Sequence, residues 1–573
     1  MNGNAGSIPG SMAAPSLRWI TLLAVLFTLA WFSNIGYRKL VKADEGRYAE
    51  IPREMVASGD WTTPRLNDFK YFEKPALQYW ATATAYTLFG EREWTARLWT
   101  ALTGFLGVLL VYRVGNEIFG RPTGFLAATV LAGTAIYAFV GHFLTLDMGV
   151  SFFMSGTILA CLMALRDGAS PAEERNWMLA AWAAMALAVL SKGLIGIVLP
   201  GTALLAYVFL QRDWQRLKRM HWLSGLALFL VISVPWFVAV SLANKEFVQF
   251  FFVQEHFQRF LTKGHGRYQP AWYFIPVIMI GAMPWLFSLV AGYVNAWRTA
   301  PAGHLQAPAP GASGAKPFQP TRFLAVWCAI VLLFFSASSS KLGSYILPIF
   351  PATALLVALQ LQRASRIGLV TQALFAAVAG AAIWFVAPNL TKSAEPSLPA
   401  EMLAAYVPWV AGAGALLALA AVISAALAWR GLRTAAAVAL SLGGLGFTQV
   451  AGSGHESLSP LYSAHDVAQK MLPDLTPDTP VYTVNTFDHT LPYYLKRNVT
   501  MVSYKDELGV AIGWEPDKFL PDLAAFEKRW LADRKAFAVF APSDFAALPA
   551  PLKDTMDVIA TDPRRVVVKK KPT

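Results

Sequence analysis

Two short stretches carry most of the chemistry-bearing side chains. Asp44-Glu45-Gly46-Arg47-Tyr48 holds two carboxylates, a guanidinium and a phenol within five residues, and Tyr71-Phe72-Glu73-Lys74-Pro75 repeats the types with one of each. Cations of this kind bind anions and stabilise negative charge as it develops, while carboxylates orient an acceptor, move a proton or stabilise a cation-like centre. The same types recur singly further on: Asp147 in Leu144-Thr-Leu-Asp-Met148, Lys192 in Ser191-Lys-Gly193, His256 and His265 in segment 243–270, and Lys341 with Tyr345 in Ser338-Ser-Ser-Lys-Leu-Gly-Ser-Tyr345. Ionisable residues in or beside apolar spans are costly and are functional candidates by default. The sequence lacks an HExxH motif, a P-loop and a complete dinucleotide fingerprint, so no nucleotide cofactor is expected.

Each candidate also has a plain structural reading. Asp44 can cap a helix over 45–57, although Arg47 rather than Glu or Gln at the third following position weakens a capping box. Glu73-Lys74 can be a solvated surface pair, Lys192 can cap its helix or snorkel, and Asp147 at a helix start suits the dipole. His256 reads as an ordinary loop histidine more readily than as a ligand, and Gly443-Gly444-Leu-Gly446 reads as helix packing.

The elements that must position these residues are membrane spans. Of 573 residues 55% are apolar and only 14% charged, with mean hydropathy +0.44, against about 25% charged in soluble domains. Apolar runs of spanning length fall near 19–32, 95–115, 123–141, 147–165, 177–191, 194–210, 222–242, 271–295, 323–339, 344–362, 368–387, 403–428 and 435–451. The short 177–191 and 194–210 runs read either as a hairpin or as one long helix. Charge parity selects the hairpin: with the N-terminus cytoplasmic, fifteen basic residues fall in short inward loops and seven in short outward ones, whereas merging the pair inverts everything after it. The expectation is a polytopic α-helical membrane protein of about thirteen spans, residues 1–455, with its C-terminus and all the candidate residues on the outer face. Cys161 and Cys328 lie inside apolar runs, which excludes a disulfide framework or a Cys-based zinc site.

Two outward segments exceed mere connections. The first, about 36–94, breaks the charge rule with Arg38, Lys39, Lys42, Arg47, Arg53, Arg65, Lys70 and Lys74, an excess that suggests anion binding; Ile51, Met55 and Val56 within it suggest a short helix lying on the membrane. The second is the tail, 456–573, with 15 basic and 16 acidic residues; strands near 481–484, 499–504, 536–540, 558–561 and 566–568 alternate with helices at 463–472 and 519–533, which predicts a small α/β domain. The net charge of +13 therefore resides in the membrane part, where it suggests anionic lipid partners rather than nucleic acid.

In this order, Asp44-Glu45-Gly-Arg-Tyr48, Phe72-Glu-Lys-Pro75, Thr145-Leu-Asp-Met148, Ser191-Lys-Gly193, Glu255-His-Phe-Gln-Arg-Phe260 with His265, and Ser340-Lys-Leu-Gly-Ser-Tyr-Ile-Leu-Pro348 resemble the bacterial 4-amino-4-deoxy-L-arabinose lipid A transferases, polyprenyl-phosphate-dependent enzymes of the C-type glycosyltransferase fold related to protein O-mannosyltransferases. The resemblance covers about 450 residues and implies an inner-membrane enzyme, expected to be a monomer. Its activity would be transfer of aminoarabinose from undecaprenyl phosphate to a lipid A phosphate at the periplasmic face, a lipopolysaccharide modification conferring polymyxin resistance. On that reading Asp44, with Glu45 and Asp147, forms the catalytic set; Arg47, Lys74, Lys192 and Lys341 hold phosphates; and Tyr48, Tyr71 and Tyr345 contact sugar or phosphate. Glu73 with His265 and His256 offers oxygen and nitrogen ligands for a divalent ion such as zinc. Two other readings stay open: a different lipid-linked sugar transferase acting on hydroxyls, and a lipid or solute transporter. Against the second, the charges gather at one face and no internal repeat is visible.

Overall fold

The computed structural model describes residues 15–258, 268–298, 316–395 and 397–572. Each of the thirteen apolar runs forms a helix or a broken helix. Among the described residues, eight helices are long and apolar enough to cross a membrane, or nine when a bent pair is counted as one, while Leu17–Phe32 and Ile195–Gln211 are shorter apolar helices.

The ambiguous pair resolves as a hairpin. Ser170 and Glu173 form a capping box, with Pro171 in the first turn, at the start of Pro171–Lys192. Gly193, at φ +83°, then ends that helix in a conformation that glycine adopts without strain. Ile195–Gln211 turns back so closely that a Cβ on Gly196 would lie 2.6 Å from the backbone of Ala188. Eight residues apart in one straight helix, those positions would be about 12 Å apart.

Two spans depart from simple helices. The 123–141 run is broken into Arg121–Ala132 and Ala135–Val140. Between them Gly133 lies against the backbone of Ser441, with no room for a side chain. The 271–295 run bends by 118° between Ala271–Gly281 and Leu286–Arg298; Pro284 in the break has no N–H with which to continue the helix.

The tail forms a six-stranded sheet in the order Phe519–Leu520, Thr500–Val502, Val481–Val484, Phe537–Phe540, Val566–Lys570, Met556–Thr561. The first four strands are parallel and the last two antiparallel. Five strands match the sequence expectation; the sixth, Phe519–Leu520, takes the start of the expected 519–533 helix, which begins only at Leu523, where the Asp522 carboxylate accepts the Ala525 N–H.

The helix in the first outward segment, Asp44–Ser58, corrects two expectations. It begins at Asp44, not after it, and Asp44 makes no capping bond. Nor does it lie on a membrane surface: Ile51 and Met55 are buried in a cluster shared with Leu491, Tyr493, Leu495 and Val499 of the tail and with Tyr79, Tyr86 and Leu146. Gly46 makes this fit possible, since a Cβ there would stand 2.6 Å from the His489 carbonyl carbon.

Candidate active site

Asp147 opens the helix Leu146–Leu165, Lys192 closes Pro171–Lys192, and Ser344 and Tyr345 lie in the seven-residue 3-10 segment Gly343–Ile349 that precedes Phe350–Arg363. Alternate helix ends thus bring these residues to one end of the bundle. There they line a cavity of about 850 Å³ together with Asp44, Arg47, Tyr48, Glu73 and Lys74 from the first outward segment. The lining also includes the apolar residues Val150, Met154, Ile195, Phe334, Phe335 and Leu342.

The polar lining residues are held in ion pairs. Arg47 donates to Asp44 Oδ1 at 2.8 Å and to both carboxylate oxygens of Glu507, its Nε at 3.0 Å from Oε1, and its guanidinium lies 5.6 and 6.0 Å from the ring centroids of Tyr48 and Tyr71. Glu507 Oε1 is also 2.6 Å from His489 Nε2. Burial alone would raise the Glu507 carboxyl, but the His489 hydrogen bond and the Arg47 charge outweigh it and lower it to about 2. Asp147 pairs through Oδ1 with Lys192 and accepts the Ser344 hydroxyl at 2.6 Å through Oδ2, and the Lys192 ammonium sits 4.8 Å above the Tyr345 ring. Lys74 donates to the Glu73 carbonyl at 2.7 Å and to Glu255 Oε2 at 3.3 Å. Burial pushes the phenols of Tyr48 and Tyr71 upward, so both stay protonated.

Three expected residues fall outside this lining. Glu45 is fully buried: Arg97 Nε and a terminal nitrogen bind its two oxygens at 2.8 Å each, and the backbone N–H groups of Val41 and Leu144 donate to it at 3.0 Å. Burial would raise this carboxyl, but the charges of Arg97 and Arg38 hold it at about 2. It ties the loop to the bundle rather than facing the cavity. Lys341 is buried and spends its ammonium on the carbonyls of Gln269, at 2.8 Å, and Ser338. Tyr71 is buried behind Arg47, its hydroxyl without a hydrogen-bond partner among the described residues.

The zinc expectation rests on Glu73, His265 and His256. His265 lies outside the described residues, as does the side chain of His256. Among the described residues no group of three or more His, Cys, Asp or Glu is arranged to hold a metal ion, and Glu73 Oε2 stands 3.8 Å from the Lys74 ammonium. The described donors do not make a metal site, and the chemistry below is derived from this chain's own side chains.

The basic excess of the first segment is largely consumed internally. Arg38 faces Glu45, Lys39 faces Glu93, Arg53 pairs with Glu50, Arg65 with Glu515 and Lys70 with Glu246. Only Arg47 and Lys74 of the eight line the cavity. Sequence reasoning missed the tail's share of the site: His489, Asp506, Glu507 and Val510 all line the cavity. Glu507 lies 460 positions from Arg47, so no local spacing signals the contact; the sole local cue is the glycine at position 46, where the tail comes closest.

A family model described as the aminoarabinose transferase C-terminal domain matches residues 467–570, and one described as dolichyl-phosphate-mannose-protein mannosyltransferase matches 73–238. An undecaprenyl phosphate-α-4-amino-4-deoxy-L-arabinose arabinosyl transferase of Sodalis glossinidius is 33% identical over 343 residues, 59% of this chain and 58% of that relative. The chain thus spans somewhat more than half the length of such relatives. Its counterpart in Pectobacterium carotovorum is 31% identical over 418 residues, 69% of this chain and 71% of the relative. The crystal structure of ArnT from Cupriavidus metallidurans bound to undecaprenyl phosphate is 36% identical, with a TM-score of 0.89, covering 98% of this chain and 100% of that one. The archaeal oligosaccharyltransferase AglB of Archaeoglobus fulgidus, 12% identical with a TM-score of 0.51, shares the fold alone.

Proposed function

This chain belongs to the family of undecaprenyl phosphate-aminoarabinose arabinosyl transferases, and from that premise we propose that it transfers 4-amino-4-deoxy-L-arabinose from undecaprenyl phosphate to a lipid A phosphate at the periplasmic face of the inner membrane. The observation that carries the reading is the mixed lining of the cavity: among the described residues it combines three cations, Arg47, Lys74 and Lys192, with apolar side chains such as Val150, Met154, Phe334 and Phe335. A polyprenyl phosphate needs that combination, since its headgroup requires positive charge and its chain an apolar path continuous with the bilayer.

In this reading Lys74 and Arg47 hold the donor phosphate and stabilise its charge as the glycosidic bond breaks. The acceptor phosphate is already ionised near neutral pH, so no strong general base is needed. Asp44, with one oxygen on Arg47, orients the acceptor or stabilises the cation-like sugar carbon. The acceptor oxygen forms the new bond to the anomeric carbon as undecaprenyl phosphate leaves with the electron pair of the old one, and direct displacement inverts that centre. Asp147 and Lys192 neutralise each other and fix the Gly343–Ile349 segment, including Tyr345, against the site.

The test incubates purified protein with the polyprenyl-linked aminosugar and lipid A and weighs the products. A mass increase of one aminoarabinose on lipid A is expected; no product with this donor, combined with transfer from another polyprenyl-linked sugar, overturns the reading.

A further inference from the structure

Among the described residues, Arg47 is the cavity cation that pairs with the tail. Its partner Glu507 accepts Arg47 Nε on Oε1 at 3.0 Å and a terminal nitrogen on Oε2. The backbone that carries Glu507 gives it little support. The residue lies in the three-residue turn Asp506–Leu508, between the strand Thr500–Val502 and the helix Gly509–Trp514. Ser503 and Asp506 in that connection have φ of +62° and +30°, a region that residues with a side chain enter only at a cost. One such turn does not fix the direction of a long side chain.

His489 stands on firmer ground. It immediately precedes the helix Thr490–Leu495. Its neighbour Asp488 is buried, with Arg565 donating to Oδ2 at 2.6 Å and the Thr490 hydroxyl to Oδ1 at 2.6 Å. The His489 backbone is packed against Gly46, and its ring lies 4.9 Å from that of Phe487. From this position Nε2 stands 2.6 Å from Glu507 Oε1. An ionised carboxylate only accepts hydrogen bonds, so Nε2 is the donor. Burial would raise the Glu507 carboxyl, and of the contacts that oppose burial the His489 hydrogen bond is the largest, ahead of the Arg47 charge. The side chains of Arg47, Glu507 and His489 are 8%, 17% and 7% exposed, so water does not readily replace a lost partner.

We infer that His489 is a positioning residue for the transfer reaction: through Glu507 it fixes the direction in which the Arg47 guanidinium meets the donor phosphate. The inference rests on the role given to Arg47 in the reading above. Without the Nε2 donor, Glu507 and Arg47 remain a pair but turn together, because the remaining support of Glu507 is its short turn.

The ring and the donor of His489 can be removed separately. His489→Phe keeps the ring against Phe487 and lacks the N–H, whereas His489→Gln lacks the ring and keeps an amide N–H of similar reach. Purified full-length variants are assayed with undecaprenyl phosphate-linked aminoarabinose and lipid A, and their thermal melting is followed alongside. His489→Phe should lose about tenfold in kcat/KM, the scale of one hydrogen bond to a charged group, and His489→Gln should recover most of it. In a Glu507→Ala background His489→Phe should cost less than about twofold more, because the residue it acts through is gone. His489→Ala, which lacks both ring and donor, takes the place of the phenylalanine variant if that one does not fold. Undiminished kcat/KM without the donor, equal losses in His489→Gln and His489→Phe, or losses that multiply in the Glu507→Ala background overturns the inference and leaves the transferase reading intact. A parent enzyme that uses another polyprenyl-linked sugar and not the aminosugar overturns that reading, and the same comparison with that donor then decides the inference separately.

Discussion

Asp44 and Glu45 are neighbours in sequence with different surroundings, one lining the cavity and one buried, and replacing each by its amide tests the proposed division between chemistry and stability. Glu45 has no exposed surface and takes N–H groups on both oxygens: Arg97 Nε and Leu144 on Oε1, Arg97 and Val41 on Oε2. In Glu45→Gln one oxygen becomes an NH2 group facing two donors, and the buried Arg97 loses its counter-charge. Breaking a buried pair in this way costs about 3–5 kcal/mol. A carboxyl held at about 2 rather than at 4.5 corresponds to about 3 kcal/mol of stabilisation, the same order. Asp44, by contrast, has a side chain 38% exposed, so its pair with Arg47 contributes at most about 1 kcal/mol to stability. Thermal unfolding of the purified proteins should therefore show Glu45→Gln melting about 5 °C or more below the parent and Asp44→Asn within about 1 °C of it. Transfer assayed well below either melting point should rank them the other way, with Asp44→Asn the more impaired. The pH dependence has a definite sign: because the folded-state value is lowered, the Glu45 contribution is complete above about pH 4.5 and lost as pH falls towards 2, so parent and Glu45→Gln should converge in stability on acidification. A Glu45→Gln protein that melts with the parent but fails to transfer refutes this reasoning and puts Glu45 in the chemistry.

Lys74→Ala should lower kcat/KM by about 10²-fold or more, as for loss of one charge-stabilising donor, with normal expression and membrane insertion; near-normal turnover of purified enzyme moves the phosphate site elsewhere. Glu507→Gln keeps the shape of the Arg47 contact but removes its charge, and a loss of about tenfold in kcat/KM is expected, read by steady-state kinetics; an unchanged value means the tail does not position Arg47. Gly46→Ala places a methyl group 2.6 Å from the His489 backbone, so the tail must shift and become more susceptible to limited proteolysis, and an unaltered digest counts against the packing described. Lipid A stripped of its phosphates should accept no sugar, and rates on native lipid A should vary little between about pH 7 and 8.5 if the acceptor needs no deprotonation; equal transfer to both acceptors, followed by mass spectrometry, sinks the phosphate-acceptor mechanism.

What could be read from the sequence had a short-range signal. Runs of apolar residues, Ser170 with Glu173, and glycines at turns act over a few positions, and the hairpin at 177–210 followed from loop charge. The co-location of Asp44, Lys74, Asp147, Lys192 and Tyr345 followed from helix alternation, since residues at alternate ends must share a face. Where two residues of like type had different fates, sequence had no means to separate them: Glu45 and Lys341 resemble Asp44 and Lys192, but the first is taken up by Arg97 and the second by backbone carbonyls. The expected surface helix at 49–57 failed for a related reason. Its apolar stripe was correctly read, but the surface it meets is the tail, and an amphipathic pattern does not state which apolar partner it covers.

The pairing of Arg47 with Glu507 also bears on how the protein comes to be made. A ribosome completes every described bundle helix before the segment carrying Glu507 emerges, so the membrane part is inserted with Arg47 still lacking two of its three carboxylate oxygens. Only when the later-synthesised tail domain folds down onto Gly46 is the Arg47 pairing completed. Termination or clipping between residues 460 and 507 would therefore leave an inserted bundle whose Arg47 lacks Glu507.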